Sequence, residues 1–171
     1  MAQCRNFEIF EHATLTTPPR PVSPSPPGLD HHVDVRIEVP RGSFVKRDAH
    51  GAIEFLSPLP CPFNYGSVPC LPAADGDAQD AVVLGPRLPA GQRLQVPVRG
   101  LIRFIDDGQQ DDKLICAYRP LTTTDRRVVA GFFKIYALCK RLMHFARGRH
   151  RRTQCLGWAE SAAPPAPPGE R

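Results

Sequence analysis

Two short acidic segments contain the residues of this chain that could do chemistry. The first places three carboxylates, those of Asp75, Asp77 and Asp80, within six residues and has Gly76 between the first two. A glycine-containing turn with this spacing can direct several oxygen atoms at one hard cation. Mg²⁺ suits such a set best, because it prefers an octahedron of oxygen ligands and takes some of them from water and substrate phosphates. Taken alone, the segment is also compatible with a solvated acidic surface loop.

The second acidic segment spans 106–112 and is followed directly by Lys113. Its carboxylates belong to Asp106, Asp107, Asp111 and Asp112. Each acidic segment adjoins an apolar run typical of a strand, so we expect the two segments to face each other across a single site. Carboxylates that converge on one pocket repel one another, and bound metal ions are the natural way to balance their charge.

Length and composition predict one domain with proline-rich ends. The chain has 171 residues, and six of its 20 prolines lie between Pro18 and Pro27. Segments of this kind bury too little apolar surface to offset their conformational entropy. We therefore expect residues 1–30 and 161–171 to be disordered and residues 31–160 to form the folded domain.

Cysteine usage and charge narrow the class of protein. The six cysteines show no CxxC spacing and no cysteine and histidine cluster, so a reducing cytoplasm is the expected setting. No run approaches the roughly 18 apolar residues of a membrane span, and the start of the chain lacks the pattern of a secretory signal. The net charge is +5, with a basic stretch at 147–152. We interpret this stretch as a solvated surface rather than a nucleic-acid site, because no aromatic residues accompany the charges.

Hydrophobic periodicity predicts a body of short strands. The apolar side chains of Val33, Val35, Ile37 and Val39 alternate with polar ones, which is typical of a half-buried strand, and Pro40 ends it. Further strand-like runs lie at 52–56, 81–84, 94–105 and 113–117. The proline-rich stretch 57–66 is expected to be irregular, with Tyr65 at a turn. Because no helical pattern separates these runs, an antiparallel barrel or sandwich is predicted.

One long helix is expected after the strands, at about residues 125–146. Its apolar residues recur at spacings of three and four and would form one buried face; they are Val129, Phe132, Phe133, Tyr136, Cys139 and Met143. Thr124 or Asp125 can cap its start. On this pattern alone, Tyr136 is either a core residue or a residue of the site.

Five motifs, in this order along the chain, resemble those of the soluble family I inorganic pyrophosphatases. They are Ile37-Glu38-Val39-Pro40 with Lys46 downstream, Pro62-Phe63-Asn64-Tyr65-Gly66, Asp75-Gly76-Asp77-Ala78-Gln79-Asp80, the segment from Asp106 to Lys113, and Phe132-Phe133-Lys134-Ile135-Tyr136. The resemblance implies a mainly β fold, a small five-stranded OB-like barrel with a long C-terminal helix. It also implies Mg²⁺-dependent hydrolysis of pyrophosphate to two phosphates, and a possible homo-oligomer.

The resemblance implies a role for each candidate residue of the site. The residues expected to hold metal ions are Asp75, Asp80 and Asp111, with Asp106 for further Mg²⁺ and Glu38 acting through a metal-bound water. Asp77 would be the catalytic residue that orients the nucleophilic water or takes its proton. The residues expected to contact phosphate oxygens are Lys46, Tyr65, Lys113 and Tyr136.

The chain departs from the family pattern at several positions around this site. The residues that replace a proline, an apolar residue, a glutamate, a phosphate-binding arginine, a tyrosine and a lysine are Ala78, Gln79, Asp48, Ser57, Cys61 and Ala137. Losing one charge-assisted phosphate contact costs about 1.5–3 kcal/mol. Arg41, Arg47 and Lys134 are the candidates for the missing charge.

Two alternatives to a pyrophosphatase remain open on the sequence. One is a catalytically silent or regulatory barrel that binds phosphate or nucleotide and uses its basic tail to hold an acidic partner. The other is a hydrolase of a related phosphoanhydride, which would share the metal site and differ at the rim of the pocket. The complete set of carboxylates favours an active pyrophosphatase.

Overall fold

Strands make up most of the chain, and the helix follows them. The computed structural model describes residues 31–47, 53–73, 76–148 and 151–159. In chain order the elements are β1 (His32–Val39), β2 (Val45–Arg47), β3 (Ile53–Leu56), β4 (Asn64–Pro72), β5 (Ala78–Val83), β6 (Arg93–Asp106), β7 (Gln109–Gln110), β8 (Lys113–Cys116), α1 (Thr123–Ala146) and β9 (Gln154–Trp158). The two proline-rich ends, 1–30 and 161–171, lie outside the described residues, as do Asp48 and Asp75.

Five strands close into a barrel. β1 pairs with β4, β4 with β5, β5 with β8, β8 with β6, and β6 returns to β1. This closure and the long helix confirm the predicted mainly β, OB-like architecture. The expectation of a wholly antiparallel arrangement is wrong at one seam, because β5 and β8 run parallel, with Ala81 opposite Leu114. β6 lies between them in the chain, so β8 returns alongside β5 in the same direction.

The longest strand, β6, pairs with four others, including the short β7 at its end. Its first residues pair with β1, its middle with β8, and its last residues with β9. The strand-like run predicted at 94–105 is confirmed as one strand of 14 residues. Gly100 lies where the ring of Trp158 from β9 crosses β6, and a Cβ atom there would lie 2.6 Å from the ring. The glycine thus makes room for the close approach of β9.

Alternation along the strands divides the apolar side chains between two clusters. One cluster fills the barrel and includes Val35, Ile37 and Leu114. The other lies between the barrel and α1, where Phe104 meets Phe133. Both phenylalanines are at most 1% exposed. Each fully buried side chain of this kind contributes roughly 1.5–3 kcal/mol to stability, so α1 is held to the barrel mainly by its apolar face.

The helix begins two residues before its predicted start. Its N-cap is Thr122 rather than Thr124 or Asp125. The Thr122 hydroxyl accepts a hydrogen bond from the backbone N–H of Asp125 at 3.1 Å, and the Asp125 carboxylate accepts one from the backbone N–H of Thr122 at 2.8 Å. This reciprocal pair is a capping box, in which Asp125 takes the third helical position.

Two local predictions differ from the structure. Tyr65 lies on β4 rather than at a turn, because the strand starts at Asn64 immediately after the prolines. The buried Asn64 side chain fixes that start by accepting backbone hydrogen bonds from Arg41 at 3.1 Å and Leu88 at 2.8 Å. β9 was not predicted at all. Among the described residues, no helix combines the length and the apolar character needed to cross a membrane.

Candidate active site

A cavity of about 490 Å³ opens where the two acidic segments meet. Its described walls carry six carboxylates, those of Glu38, Asp77, Asp80, Asp106, Asp107 and Asp111. Lys46 also lines this cavity. The two segments therefore face one common space. Asp75, the remaining candidate ligand, lies outside the described residues.

The neighbouring strands β1, β4 and β5 carry one group of the side chains at the site. Asp80 on β5 lies opposite Ser67 on β4, and Tyr65 shares the face of Ser67 because alternate residues of a strand point the same way. The Tyr65 hydroxyl donates to Asp80 Oδ2 at 2.6 Å. The Ser67 hydroxyl donates to Glu38 Oε1 at 2.6 Å. Glu38 itself sits at a register shift of β1, where the regular pairing with β4 is interrupted.

Lys113 occupies the centre of this face. It is 2% exposed and is the first residue of β8, the parallel neighbour of β5. Its ammonium group donates to both Asp80 Oδ2 and Asp111 Oδ1. Burial alone would lower the lysine pKa, but the two carboxylates raise it above its usual value. Lys113 is therefore a cation at neutral pH and lies between two candidate metal ligands.

The two carboxylates beside Lys113 differ in acidity. Burial raises the pKa of Asp111 to about 6, since the neighbouring charges of Asp80 and Asp106 oppose the relief that Lys113 provides. Burial also acts on Asp80, but the Lys113 ammonium and the hydrogen bonds from Lys113 and Tyr65 outweigh it and lower the pKa of Asp80. Asp80 is thus the more strongly held anion of the pair.

A tight turn arranges the second acidic segment. Asp106 pairs with Gln109, and the two residues between them, Asp107 and Gly108, have φ values of 47° and 85°. Two consecutive positive φ values are typical of the turn that joins two strands through two residues. Asp112, in contrast, accepts the backbone N–H of Phe104 at 2.9 Å. Asp112 therefore secures the segment to β6, whereas Asp106 and Asp111 line the cavity.

A second cavity of about 340 Å³ shares Lys46, Asp80 and Asp111 with the acidic one. Its polar walls include all four residues expected to contact phosphate, Lys46, Tyr65, Lys113 and Tyr136. Tyr136 also stacks on Phe132, with ring centroids 5.8 Å apart, so its ring belongs to the apolar face of α1 while its edge lines the cavity. A carboxylate-rich space thus adjoins a space lined by lysine and tyrosine.

The cation that sequence reasoning missed is Lys140. It lines the second cavity, and its ammonium group forms an ion pair with Asp106. Neither Arg41 nor Lys134 is among the residues described in the walls of the two cavities, and Arg41 instead donates to the carbonyl of Gly85 at 3.1 Å. The side chain of Arg47 lies outside what is described. The signal that could have found Lys140 is its position four residues after Tyr136, on the same helix face.

The donor set suits a hard divalent cation, because it consists of carboxylate oxygens. Glu38 Oε2 is buried and, within the described chain, makes no hydrogen bond; Lys46 Nζ lies 3.4 Å away. Beside this ion pair, the carboxylate oxygen can accept a further hydrogen bond from a metal-bound water. No three described acidic, histidine or cysteine side chains form a metal-binding cluster here. Lys113 and Lys140 instead balance the charges of Asp80, Asp111 and Asp106.

Two curated relatives resemble the central part of the chain. The inorganic pyrophosphatase of Gluconobacter oxydans is 38% identical over 105 residues, which are 56% of this chain and 61% of that protein. The soluble inorganic pyrophosphatase of Oryza sativa subsp. indica is 36% identical over 104 residues, which are 55% of this chain and 49% of that protein. The chain thus spans less than two thirds of the length of these curated relatives.

Solved structures agree on the fold. The inorganic pyrophosphatase of Thermus thermophilus superposes with a TM-score of 0.61 and 27% identity, over 74% of this chain and 81% of that one. That of Coxiella burnetii gives a TM-score of 0.62 at 24% identity, over 78% and 88% of the two chains. The family model for inorganic pyrophosphatase matches residues 35–144. Because this match covers more than half of the chain and every described candidate residue, the protein belongs to the inorganic pyrophosphatase family.

Proposed function

We propose that this protein hydrolyses inorganic pyrophosphate to two phosphates with the help of Mg²⁺. Family membership implies a divalent metal cofactor in general, and the all-oxygen donor set favours Mg²⁺. The observation that carries the proposal is the continuity of the two cavities, which share Lys46, Asp80 and Asp111. Metal ions on the acidic side and phosphate oxygens on the basic side would meet there.

The proposed metal ligands follow the resemblance. Asp75, Asp80 and Asp111 would hold the principal ions, Asp106 a further one, and Glu38 a metal-bound water. When bound, such ions supply neutralisation of phosphate charge and a water acidified toward neutral pH. The buried second oxygen of Glu38 and the shared cavity of the four described residues support this assignment.

The basic side of the site would hold the phosphate groups. Lys46 and Lys113 would contribute charge, and Tyr65 and Tyr136 would contribute hydroxyl donors. Burial and nearby carboxylates raise the pKa of both tyrosines, so each hydroxyl keeps its proton at neutral pH. Tyr136 could donate that proton directly to a phosphate oxygen, whereas Tyr65, which donates to Asp80, would have to turn its hydroxyl from that carboxylate to the phosphate. Fixed donors and charges of this kind orient a polyanion for attack and stabilise the charge that develops.

Asp77 is the proposed catalytic carboxylate. It lies in the wall of the acidic cavity, directly after Gly76, whose φ of 91° turns the chain back toward β5. It is exposed to solvent, whereas the side chain of Asp80 is only 21% exposed, so Asp77 can meet a water that enters from outside. We assign it to orient the attacking water and accept its proton, a role that typically contributes about 10²–10⁴-fold to rate.

The first experiment is phosphate release from pyrophosphate by the full chain, with Mg²⁺ and with a chelator. Asp77→Asn should reduce turnover by about 10²-fold or more while metal binding persists. Asp34→Asn is the matched control, because Asp34 is exposed on β1 and is not among the residues described in the cavity walls. An unchanged rate in Asp77→Asn would refute the role of Asp77. A folded protein inactive with both Mg²⁺ and Mn²⁺ would refute hydrolysis and favour the binding-barrel alternative.

Location and assembly are further parts of the proposal. Four of the described cysteines, Cys61, Cys116, Cys139 and Cys155, are free thiols, which supports the expected cytoplasmic setting. Large apolar side chains on the outer side of α1, such as Leu142 and Phe145, are 61% and 69% exposed and support a homo-oligomer. Light scattering of the purified protein would measure its mass, and a monomer at all concentrations would contradict assembly.

A further inference from the structure

Lys140 lies in the wall of the basic cavity but is held by a carboxylate of the acidic one. We propose that Lys140 is a phosphate ligand, and that Asp106 holds its ammonium group until a divalent cation binds there. This inference rests on the proposed function and adds one residue and one coupling to it. The site that the motifs predict includes neither Lys140 nor its competition with a cation for Asp106.

The position of Lys140 on α1 gives it access to both cavities. It follows Tyr136 by four residues, and its Nζ lies 5.7 Å from the centroid of the Tyr136 ring. Its side chain is 17% exposed, so most of it is packed against the protein. Lys46 and Lys113 line the same basic cavity. An anion in that cavity would therefore face three ammonium groups.

Lys140 and a bound cation compete for one carboxylate. Asp106 Oδ2 accepts from the Lys140 ammonium, and Oδ1 lies 3.3 Å from the Thr153 hydroxyl. A divalent ion at Asp106 would repel the ammonium group and take its acceptor. A lysine ammonium on its flexible four-carbon stem can then turn to the next available anion. In the cavity that Lys140 lines, that anion is a phosphate oxygen.

Asp106 remains in place when the lysine leaves, because other contacts hold it. Thr153 is 2% exposed, and its hydroxyl accepts the backbone N–H of Asp107 at 3.1 Å. The ring Nδ1 of His144, also buried, lies 3.4 Å from the same hydroxyl. Thr153, which precedes β9, thus holds the Asp106 carboxylate and itself lies beside His144 near the end of α1. Neither contact involves Lys140. This arrangement makes Lys140 the mobile partner of the pair.

Binding measurements on the full chain test the coupling. The variants are Lys140→Met, Lys140→Arg and the control Lys134→Met, which makes the same change at an exposed position of the same helix. Mn²⁺ alone would be titrated by electron paramagnetic resonance, and inorganic phosphate by calorimetry at saturating Mn²⁺. Thermal melts would verify that each variant is folded.

In Lys140→Met, we expect Mn²⁺ affinity to rise, because the competing cation is gone, and phosphate affinity at saturating Mn²⁺ to fall by about tenfold or more. Lys140→Arg should restore most of the phosphate affinity, and Lys134→Met should match the wild type. In the wild type, phosphate should bind more weakly without Mn²⁺.

Three outcomes would overturn the inference. Phosphate affinity in Lys140→Met equal to that in Lys134→Met would exclude Lys140 as a phosphate ligand. Unchanged Mn²⁺ affinity in Lys140→Met would exclude competition at Asp106. If either result is obtained for Lys140→Met while the wild type still releases phosphate from pyrophosphate, the inference fails and the proposed function stands. A wild type that binds no Mn²⁺ and releases no phosphate would contradict both the inference and the proposed function.

Discussion

The ammonium group of Lys113 is buried against the carboxylate of Asp80. The two residues are 33 positions apart in the chain, and the parallel pairing of β5 with β8 brings them together. Removing two charges from water is costly, and their attraction repays the cost only when both remain paired. The pair therefore ties the closure of the barrel at its one parallel seam to the charge balance of the site.

Lys113→Met should destabilise the metal-free protein by about 1.5–3 kcal/mol. The substitution keeps much of the side-chain volume but leaves the partly buried carboxylates of Asp80 and Asp111 without their cation, and water can solvate them only in part. Urea unfolding in the presence of a chelator would measure the change.

Mg²⁺ should recover part of this loss. A ligand that binds only the folded state adds about 2.7 kcal/mol at one hundred times its dissociation constant, and the carboxylates of Lys113→Met have no competing ammonium. Lys134→Met, at an exposed position, should change stability by less than about 0.5 kcal/mol. If Lys113→Met were as stable as this control without metal, the pairing of Lys113 with Asp80 and Asp111 would not stabilise the fold.

Tyr65→Phe should weaken the fold through Asp80. The variant removes the hydroxyl that donates to Asp80 Oδ2, and a hydrogen bond to a charged group is worth about 1.5–3 kcal/mol. This bond helps to lower the pKa of Asp80, so its contribution is present above the unfolded value near 4 and is lost as the pH falls through the folded value.

Urea unfolding in successive steps from neutral pH into acid would measure this dependence. Tyr118→Phe is the matched control, because Tyr118 is 65% exposed and its hydroxyl donates to the carbonyl of Gln95 at 2.9 Å near the surface. A loss in Tyr65→Phe that stayed constant as the pH fell would show that packing, rather than the bond to Asp80, causes it.

Much of the architecture could be predicted because it depends on local pattern. The alternation from Val33 to Val39 and the spacing of the apolar residues in α1 each record one buried face, and both elements occur within two residues of their expected bounds. The acidic segments were expected to meet because each adjoins a strand. Their shared cavity follows from the closure of those strands.

What could not be predicted depends on contacts between distant parts of the chain. β9 has only five residues, includes Gly157, and is stabilised by pairing with β6 and by packing Trp158 over Gly100. The parallel pairing of β5 with β8 depends on the order in which the strands join the barrel, which no local pattern records. In the sequence, Lys140 is one of several cations of a basic helix. Its role depends on the packing of α1 against the end of β6, which places it beside Asp106.

Gly66→Ala should severely destabilise the barrel. A Cβ atom at this position would lie 1.9 Å from the backbone carbonyl oxygen of Arg36 on β1, and a paired strand cannot move away without breaking its hydrogen bonds. We expect a loss of about 3 kcal/mol or more by thermal or urea unfolding.

Gly131→Ala provides the opposite control for that substitution. Gly131 lies within α1, and, apart from its chain neighbours and the nearby helix backbone, no described atom lies within 4 Å of where its Cβ would be. Alanine favours the helix over glycine by about 0.5–1 kcal/mol, so this variant should be more stable than the wild type. Equal effects of the two substitutions would contradict the close approach of β4 to β1.

The capping box should make the stability of α1 depend on pH. Thr122→Ala removes the cap and should cost about 0.5–2 kcal/mol.

Hydrogen bonds from Arg119 and Thr122 hold the pKa of Asp125 below its usual range, so the stabilisation from this carboxylate is present above about pH 4 and is lost as the pH falls through the folded value. The difference between the wild type and Asp125→Ala, measured by urea unfolding, should therefore shrink as the solution is acidified. Asp34→Ala, at an exposed position of β1, is the control. A difference between the wild type and Asp125→Ala that persisted unchanged in acid would show that the carboxylate charge does not hold the cap.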